Sequence, residues 1–134
     1  MNYNNILISI IFFFTISTVI TNGVLMINEK DKLNFGADIS FVGTYEKERA
    51  RSLVFLAKKG LSVRIWGNGW ASLKGKWHGL LVEGRPVYDD DYSKVICASK
   101  INLCFLRKDN RDLQTCRSIE IPACGGFMVH ERNT

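Results

Sequence analysis

Apolar and polar positions change their spacing several times along this chain, and each change marks an element. Asp38 to Val42 (DISFV) is a short, mostly apolar run closed by Gly43, which predicts a strand and then a turn. Glu46 to Lys59 (EKERARSLVFLAKK) switches to helical spacing, with Leu53, Leu56 and Ala57 on one face and Ala50 one turn earlier. Acidic residues open that stretch, basic ones close it, and Gly60 follows, the order favoured by a helix dipole and a glycine C-cap. Leu61 to Trp66 (LSVRIW) predicts a second strand, ending in Gly67-Asn68-Gly69. Ala71 to Pro86 holds Trp77, His78 and several glycines and reads mostly as loop, with room for one short element. Asp90 to Ser99 predicts a helix with Tyr92, Val95 and Ile96 on one side, and Ile101 to Leu106 (INLCFL) another strand. Arg107 to Asp112 (RKDNRD) is a polar loop, Gln114 to Cys124 a helix that Pro122 should kink or end, and Phe127 to Val129 the start of one more strand.

Repeated βα units with short joints predict an α/β fold, a Rossmann-like parallel sheet with flanking helices. Ligands of such sheets bind outside the carboxyl ends of the strands. Gly43-Thr44, Gly67-Asn68-Gly69 and the loop 107–112 all fall along that edge. A parallel sheet needs both faces covered, so a chain with no closing helix after its last strand is expected to be part of a larger fold.

The first residues differ from the rest. Ile6 to Ile27 (ILISIIFFFTISTVITNGVLMI) carries no charge and is long enough to cross a bilayer, although Thr21, Asn22 and Gly23 interrupt it near one end. The preceding MNYNN lacks the Lys or Arg of a signal peptide. Lys30, Lys32, Lys47, Arg49 and Arg51 follow, which places the C-terminal side in the cytoplasm. A hydrophobic N-terminal helix anchoring the chain in a membrane is therefore expected; a signal peptide and a buried hydrophobic segment are the rivals. Without a true span the chain would be cytoplasmic. The expected organisation is a tail at 1–5, the hydrophobic segment at 6–27, a linker at 28–37 and one folded unit at 38–134.

Composition narrows the partners. The chain has 134 residues, at most one modest domain, and a net charge of +5, which suits an anionic ligand only weakly. Its basic residues form no tract and are not interleaved with aromatics, so a nucleic-acid partner is not expected. Cys97, Cys104, Cys116 and Cys124 form no CxxC pair and both histidines lie apart from them, which is not a zinc spacing. Reduced thiols in a cytosolic domain are expected, with Cys97, Cys104 and Cys124 packed as small hydrophobes.

Candidate chemistry concentrates in Asp112 to Phe127 (DLQTCRSIEIPACGGF). Glu120 sits among Ile119, Ile121 and Ala123, and a buried carboxylate without a partner is costly, so it should meet protein or ligand. Arg117, one helical turn earlier, would pair with Glu120 or with Asp112, or would meet a diphosphate bidentately. Glu120 would accept two hydroxyls of the kind a ribose offers. Gly43-Thr44 lacks the GxGxxG and GxxxxGK[ST] patterns, so it is either a plain turn or a place where backbone N–H groups approach a phosphate. Arg107, Lys108, Asn110 and Arg111 are either a solvated loop face or a basic cluster at a strand's end. His78 and His130 have no partners in sequence, and there is no Ser/His/Asp order, nucleophile elbow or metal cluster.

With these residues in place, Asp38–Trp70 and Tyr92–Thr134 resemble the CgeB-like spore-maturation glycosyltransferases, whose C-terminal region belongs to the group 1 glycosyltransferases of the GT-B fold. The run NRDLQTCRSIEIPACGGFM is the most specific part. The resemblance implies the C-terminal, donor-binding part of a two-domain enzyme that uses a nucleotide-diphosphate-sugar as substrate, with no cofactor or metal. Group 1 enzymes often carry two acidic residues separated by seven positions, matched here by Asp112 and Glu120, with Asp112 departing from the usual Glu. It implies that Glu120 holds the donor ribose, that Gly43 matches the glycine loop near the donor phosphates, and that Arg107 and Arg111 lie where basic groups would neutralise the leaving diphosphate. It also implies a missing N-terminal domain bearing the acceptor site and the catalytic base, so that the chain alone would be incomplete as a transferase for its unknown acceptor.

Overall fold

The computed structural model describes residues 27–106 and 115–131. A short helix opens them, α1 (Glu29–Phe35), inside the stretch read as a linker. It exists because Asn28 and Asp31 form a capping box: the Asp31 N–H donates to Asn28 Oδ1 at 2.8 Å, and the Asp31 carboxylate reaches back to the Asn28 N–H. Gly36 ends the helix by donating its N–H to the Lys32 carbonyl. Phe35 on its last turn packs on Trp66 with ring centroids 5.8 Å apart, which ties this segment to the sheet.

Five parallel strands follow: β1 (Ala37–Val42), β2 (Val63–Trp66), β3 (Leu80–Val82), β4 (Ser99–Cys104) and β5 (Met128–His130). Their order across the sheet is β3-β2-β1-β4-β5. Phe41 pairs with Ile65 on one side and with Leu103 on the other. The Rossmann-like parallel sheet expected from the βα repeats is therefore present, and its progression reverses between β1 and β4. That reversal is the topological switch point, where adjacent loops leave the sheet in opposite directions and open a crevice.

The helices are α2 (Lys47–Lys58), α3 (Asp89–Ala98) and α4 (Arg117–Ala123), with a 3-10 turn at Ala71–Leu73. β3 lies in the stretch expected to be mostly loop; three residues are too few for alternation to show, and its register with β2 defines it. β4 begins two residues earlier than the apolar run suggested, because Ser99 pairs with Ala37. Pro122 is the penultimate residue of α4, consistent with a ring that cannot continue the hydrogen-bond ladder.

Two apolar layers cover the sheet. On one face Ile39, Phe41, Val63 and Ile65 meet Ala50 and Leu53 of α2, with Trp70 beside them. On the other, Trp66 packs with Phe35, Val87 and Val95, and Cys104 with Ile96, Ile121 and Cys124. One buried polar residue organises that second face. Asn102 accepts from the Ser40 hydroxyl at 2.7 Å and donates its amide to the carbonyls of Ile96 at 3.1 Å and Phe127 at 3.3 Å. It ties β1, α3 and the turn before β5 to a single position on β4, with its hydrogen-bonding capacity well used.

Residues 6–26 of the expected membrane segment lie outside the described residues, as do Arg107, Arg111 and Asp112. Among the described residues no helix is long and apolar enough to cross a membrane.

Candidate functional site

A cleft of ≈ 330 Å³ opens at the carboxyl edge of the sheet. One wall is the pair of glycine loops. Gly43 and Thr44 leave β1, Gly67 and Asn68 leave β2, and all four line the cleft. The Gly43 N–H donates to the Trp66 carbonyl at 2.9 Å, and the Gly43 carbonyl accepts the buried Trp70 indole N–H at 2.8 Å. The Tyr45 N–H donates to the Asn68 carbonyl at 2.9 Å. This close stitching requires glycine. Gly67 has φ +144°, and a Cβ there would lie 2.1 Å from the Gly43 carbonyl oxygen. Arg49, buried at 3% exposure, braces the loop from α2 by donating to the Thr44 carbonyl at 3.2 Å while paired with Glu46 at 3.2 Å.

The opposite wall is built from α3 and α4. Arg117 and Glu120 lie one turn apart on α4, and both face the cleft half-buried. The Arg117 guanidinium rests against Gly43: a Cβ on that glycine would lie 3.2 Å from Arg117 Nη2 and 2.8 Å from the Phe41 ring. A bare backbone at position 43 therefore lets a cation from α4 reach the end of β1. Among the described residues, the Arg117–Glu120 ion pair, one of the alternatives read from the sequence, does not form, and the cleft presents a cation and a carboxylate side by side. Nor is Glu120 enclosed in an apolar run, because Ile119 is 41% exposed and only Ile121 of its neighbours is buried.

Tyr92 of α3 completes this wall. Its hydroxyl is shut off from solvent and makes no hydrogen bond of ordinary geometry, yet the Glu120 carboxylate lies close enough to act on it. Burial first, and then the Glu120 charge, push the Tyr92 phenol far above its usual range, with Arg117 opposing. The phenol stays protonated, and so remains a donor beside the carboxylate. At the rim, Tyr88 is 68% exposed and Asp89 adopts φ 48°, an uncommon backbone conformation for a residue other than glycine.

The structure thus brings together Gly43, Thr44, Arg117 and Glu120, four residues that span the chain from its first strand to its last helix. Sequence reasoning missed Tyr92 as a site residue, reading it as one more apolar position on its helix. The available signal was chemical: a tyrosine on a buried helical face carries a hydroxyl that needs a partner.

Other polar groups sit outside this lining. His130 gains a partner the sequence did not show, with Nε2 3.3 Å from Ser118 Oγ and Nδ1 against the Glu131 carbonyl. Ser118 also accepts the Thr115 N–H at 3.2 Å, so this cluster ties β5 to the start of α4. His78 is exposed. All four cysteines are free; Cys104 and Cys124 are buried, and Cys97 donates its thiol to the Cys124 carbonyl at 3.1 Å. Among the described residues, no group of three or more His, Cys, Asp or Glu converges as a metal site.

A family model described as glycosyl transferase-like matches residues 48–134. Neither the curated proteins nor the solved structures provide a match to the chain. The matched region runs from α2 to the last strand and contains Tyr92, Arg117 and Glu120, while Gly43 and Thr44 stand just ahead of it. A parallel α/β sheet with its cleft at the switch-point edge, together with a family match over most of its length, places this chain in the glycosyl transferase-like family.

Proposed function

We infer that the cleft binds a nucleotide-diphosphate-sugar donor, and that the chain is the donor-binding part of a glycosyltransferase. The observation that carries this reading is the pairing of opposite charges on α4 that do not neutralise each other. Glu120 and Arg117 both line the cleft, and Arg117 lies against the backbone of Gly43. A ligand with a diol at one end and a diphosphate at the other satisfies both groups. The Glu120 carboxylate accepts two ribose hydroxyls, and the Arg117 guanidinium, with the loop at Gly43 and Thr44, meets the diphosphate. Charge gathered on the diphosphate as the sugar departs is then stabilised more than the resting ligand, which is the condition for acceleration.

Arg107, Arg111 and Asp112 belong to the same proposal, as basic and acidic residues that follow β4 in the sequence. So does the narrower assignment to the CgeB-like branch, which rests on the resemblance of 38–70 and 92–134. Transfer to the unknown acceptor would require a second domain to supply the acceptor site and the base.

Calorimetric titration of the full chain with UDP, GDP and ADP tests the reading. At least one should bind, and Glu120→Gln should weaken that binding about tenfold or more, the order expected for hydrogen bonds to a charged acceptor. Circular dichroism should be unchanged. Equal affinity in the variant would remove Glu120 from the site.

A further inference from the structure

Tyr92 carries a group that neither the fold nor the donor reading uses. Its ring is packed between the two apolar clusters of one sheet face, which fixes where the phenol points. The hydroxyl ends in the cleft wall, closed to solvent, without a hydrogen bond of ordinary geometry. The Glu120 carboxylate is its hydrogen-bonding neighbour, held more loosely than in a bond of ordinary geometry, so the buried hydroxyl recovers only part of what it loses with its water. Of the groups acting on it, the Glu120 carboxylate is the acceptor; Arg117 is a cation and cannot accept.

We propose that Tyr92 is the positioning residue for Glu120, donating its O–H to one side of the carboxylate when a ligand diol draws Glu120 into line, and so setting the preference for a vicinal diol. Glu120 sits on a helix of only seven residues and has rotatable bonds of its own, so α4 alone does not orient its carboxylate. A fixed donor from α3 does. It occupies one lone-pair direction and leaves the remaining ones facing the cleft, where two neighbouring hydroxyls can donate together. A ligand with one hydroxyl in place of two would use the arrangement only in part. Tyr92 does not need to touch the ligand for this; it acts through the carboxylate.

This inference rests on the donor reading above, and the experiment separates the two. The full chain is titrated with UDP, GDP and ADP and with their 2′-deoxy counterparts, as wild type, Glu120→Gln, Tyr92→Phe and the double variant. Tyr92→Phe keeps the ring and its packing, and thermal denaturation verifies that the fold is kept. The expected result is a ribose-over-deoxyribose preference in the wild type that Tyr92→Phe lowers by about tenfold or more, the size of one hydrogen bond to a charged group. The loss should fall on the ribonucleotide, with deoxynucleotide affinity nearly unchanged. In the double variant, Tyr92→Phe should add nothing to Glu120→Gln, because the two act as one unit. If Tyr92→Phe weakens both nucleotides equally, or adds its full effect in the Glu120→Gln background, Tyr92 is only part of the packing and the inference is overturned while the donor reading stands. If no nucleotide binds, the donor reading fails and takes this inference with it; if Glu120→Gln leaves affinity and preference intact, Glu120 is removed from the site and this inference falls with it.

Discussion

Substituting Gly67 by alanine should strike the cleft harder than any other single methyl. Two effects combine at this position. The backbone φ of +144° disfavours any side chain, at about 1–3 kcal/mol for a residue held in such a region. In addition, the new Cβ would lie 2.1 Å from the Gly43 carbonyl oxygen, well short of ordinary contact. That oxygen cannot simply retreat, because it accepts the Trp70 indole N–H at 2.8 Å and Trp70 is buried at 1% exposure. Moving it strains or breaks a buried hydrogen bond, with a penalty of about 1–3 kcal/mol for the group left unsatisfied. Gly60→Ala is the control: φ is +85°, but no atom lies within 4 Å of its Cβ. It suffers the backbone term without the collision. Urea unfolding followed by tryptophan fluorescence should show Gly67→Ala less stable than Gly60→Ala by about 1–3 kcal/mol, with equal dependence on denaturant. Nucleotide binding should fall with it. Equal stability of the two variants would show that the loops after β1 and β2 are not in the close contact described, and the glycine wall of the site would lose its basis.

Asn102→Ala should destabilise the fold by about 2–4 kcal/mol in the same assay, because it empties a buried position, strands the Ser40 hydroxyl and removes the side-chain bonds to the Ile96 and Phe127 carbonyls, of which Phe127 keeps the backbone N–H of residue 102. Ser40→Ala should cost less, about 1–3 kcal/mol, and the pair should be clearly non-additive. Burial, with the neighbouring Cys124 second, raises the Cys97 thiol to about 11, so at pH 8 iodoacetamide should label the exposed Cys116 well before Cys97. The sign for stability follows from linkage: the unfolded thiol ionises first, near its ordinary value of 9.0, so the Cys97 contribution is present below pH 9 and is lost as pH rises towards 11. Cys97→Ser should flatten that alkaline decline.

The sheet was largely legible because β1, β2 and β4 are apolar runs bounded by glycine or polar turns, and α2 carries its apolar face and its closing Gly60 in plain spacing. β3 was not, since Leu80–Val82 has no room for a period and becomes a strand only through its pairing with Val63–Ile65. α1 was hidden for another reason: its cue was the two-residue capping box of Asn28 and Asp31, not an apolar stripe. At the site, Glu120 was conspicuous as a charge in an apolar run, and Gly43 as the residue ending a strand. Tyr92 was invisible because its chemistry lies in one atom at the end of a ring that otherwise behaves as core.

What the sequence by itself determined was the kind of element at most positions and the edge of the sheet on which the candidate residues would gather. Local periodicity carries that information, because it reports which face of an element turns inward. Only the tertiary structure decided which faces meet. The crossing from β3 to β4 brings α3 and α4 over one face, and through it Tyr92 comes beside Glu120 and Arg117 comes against Gly43. Those contacts join residues far apart in the chain, and they depend on strand order and on the close approach that glycine allows. No spacing along the sequence encodes either one.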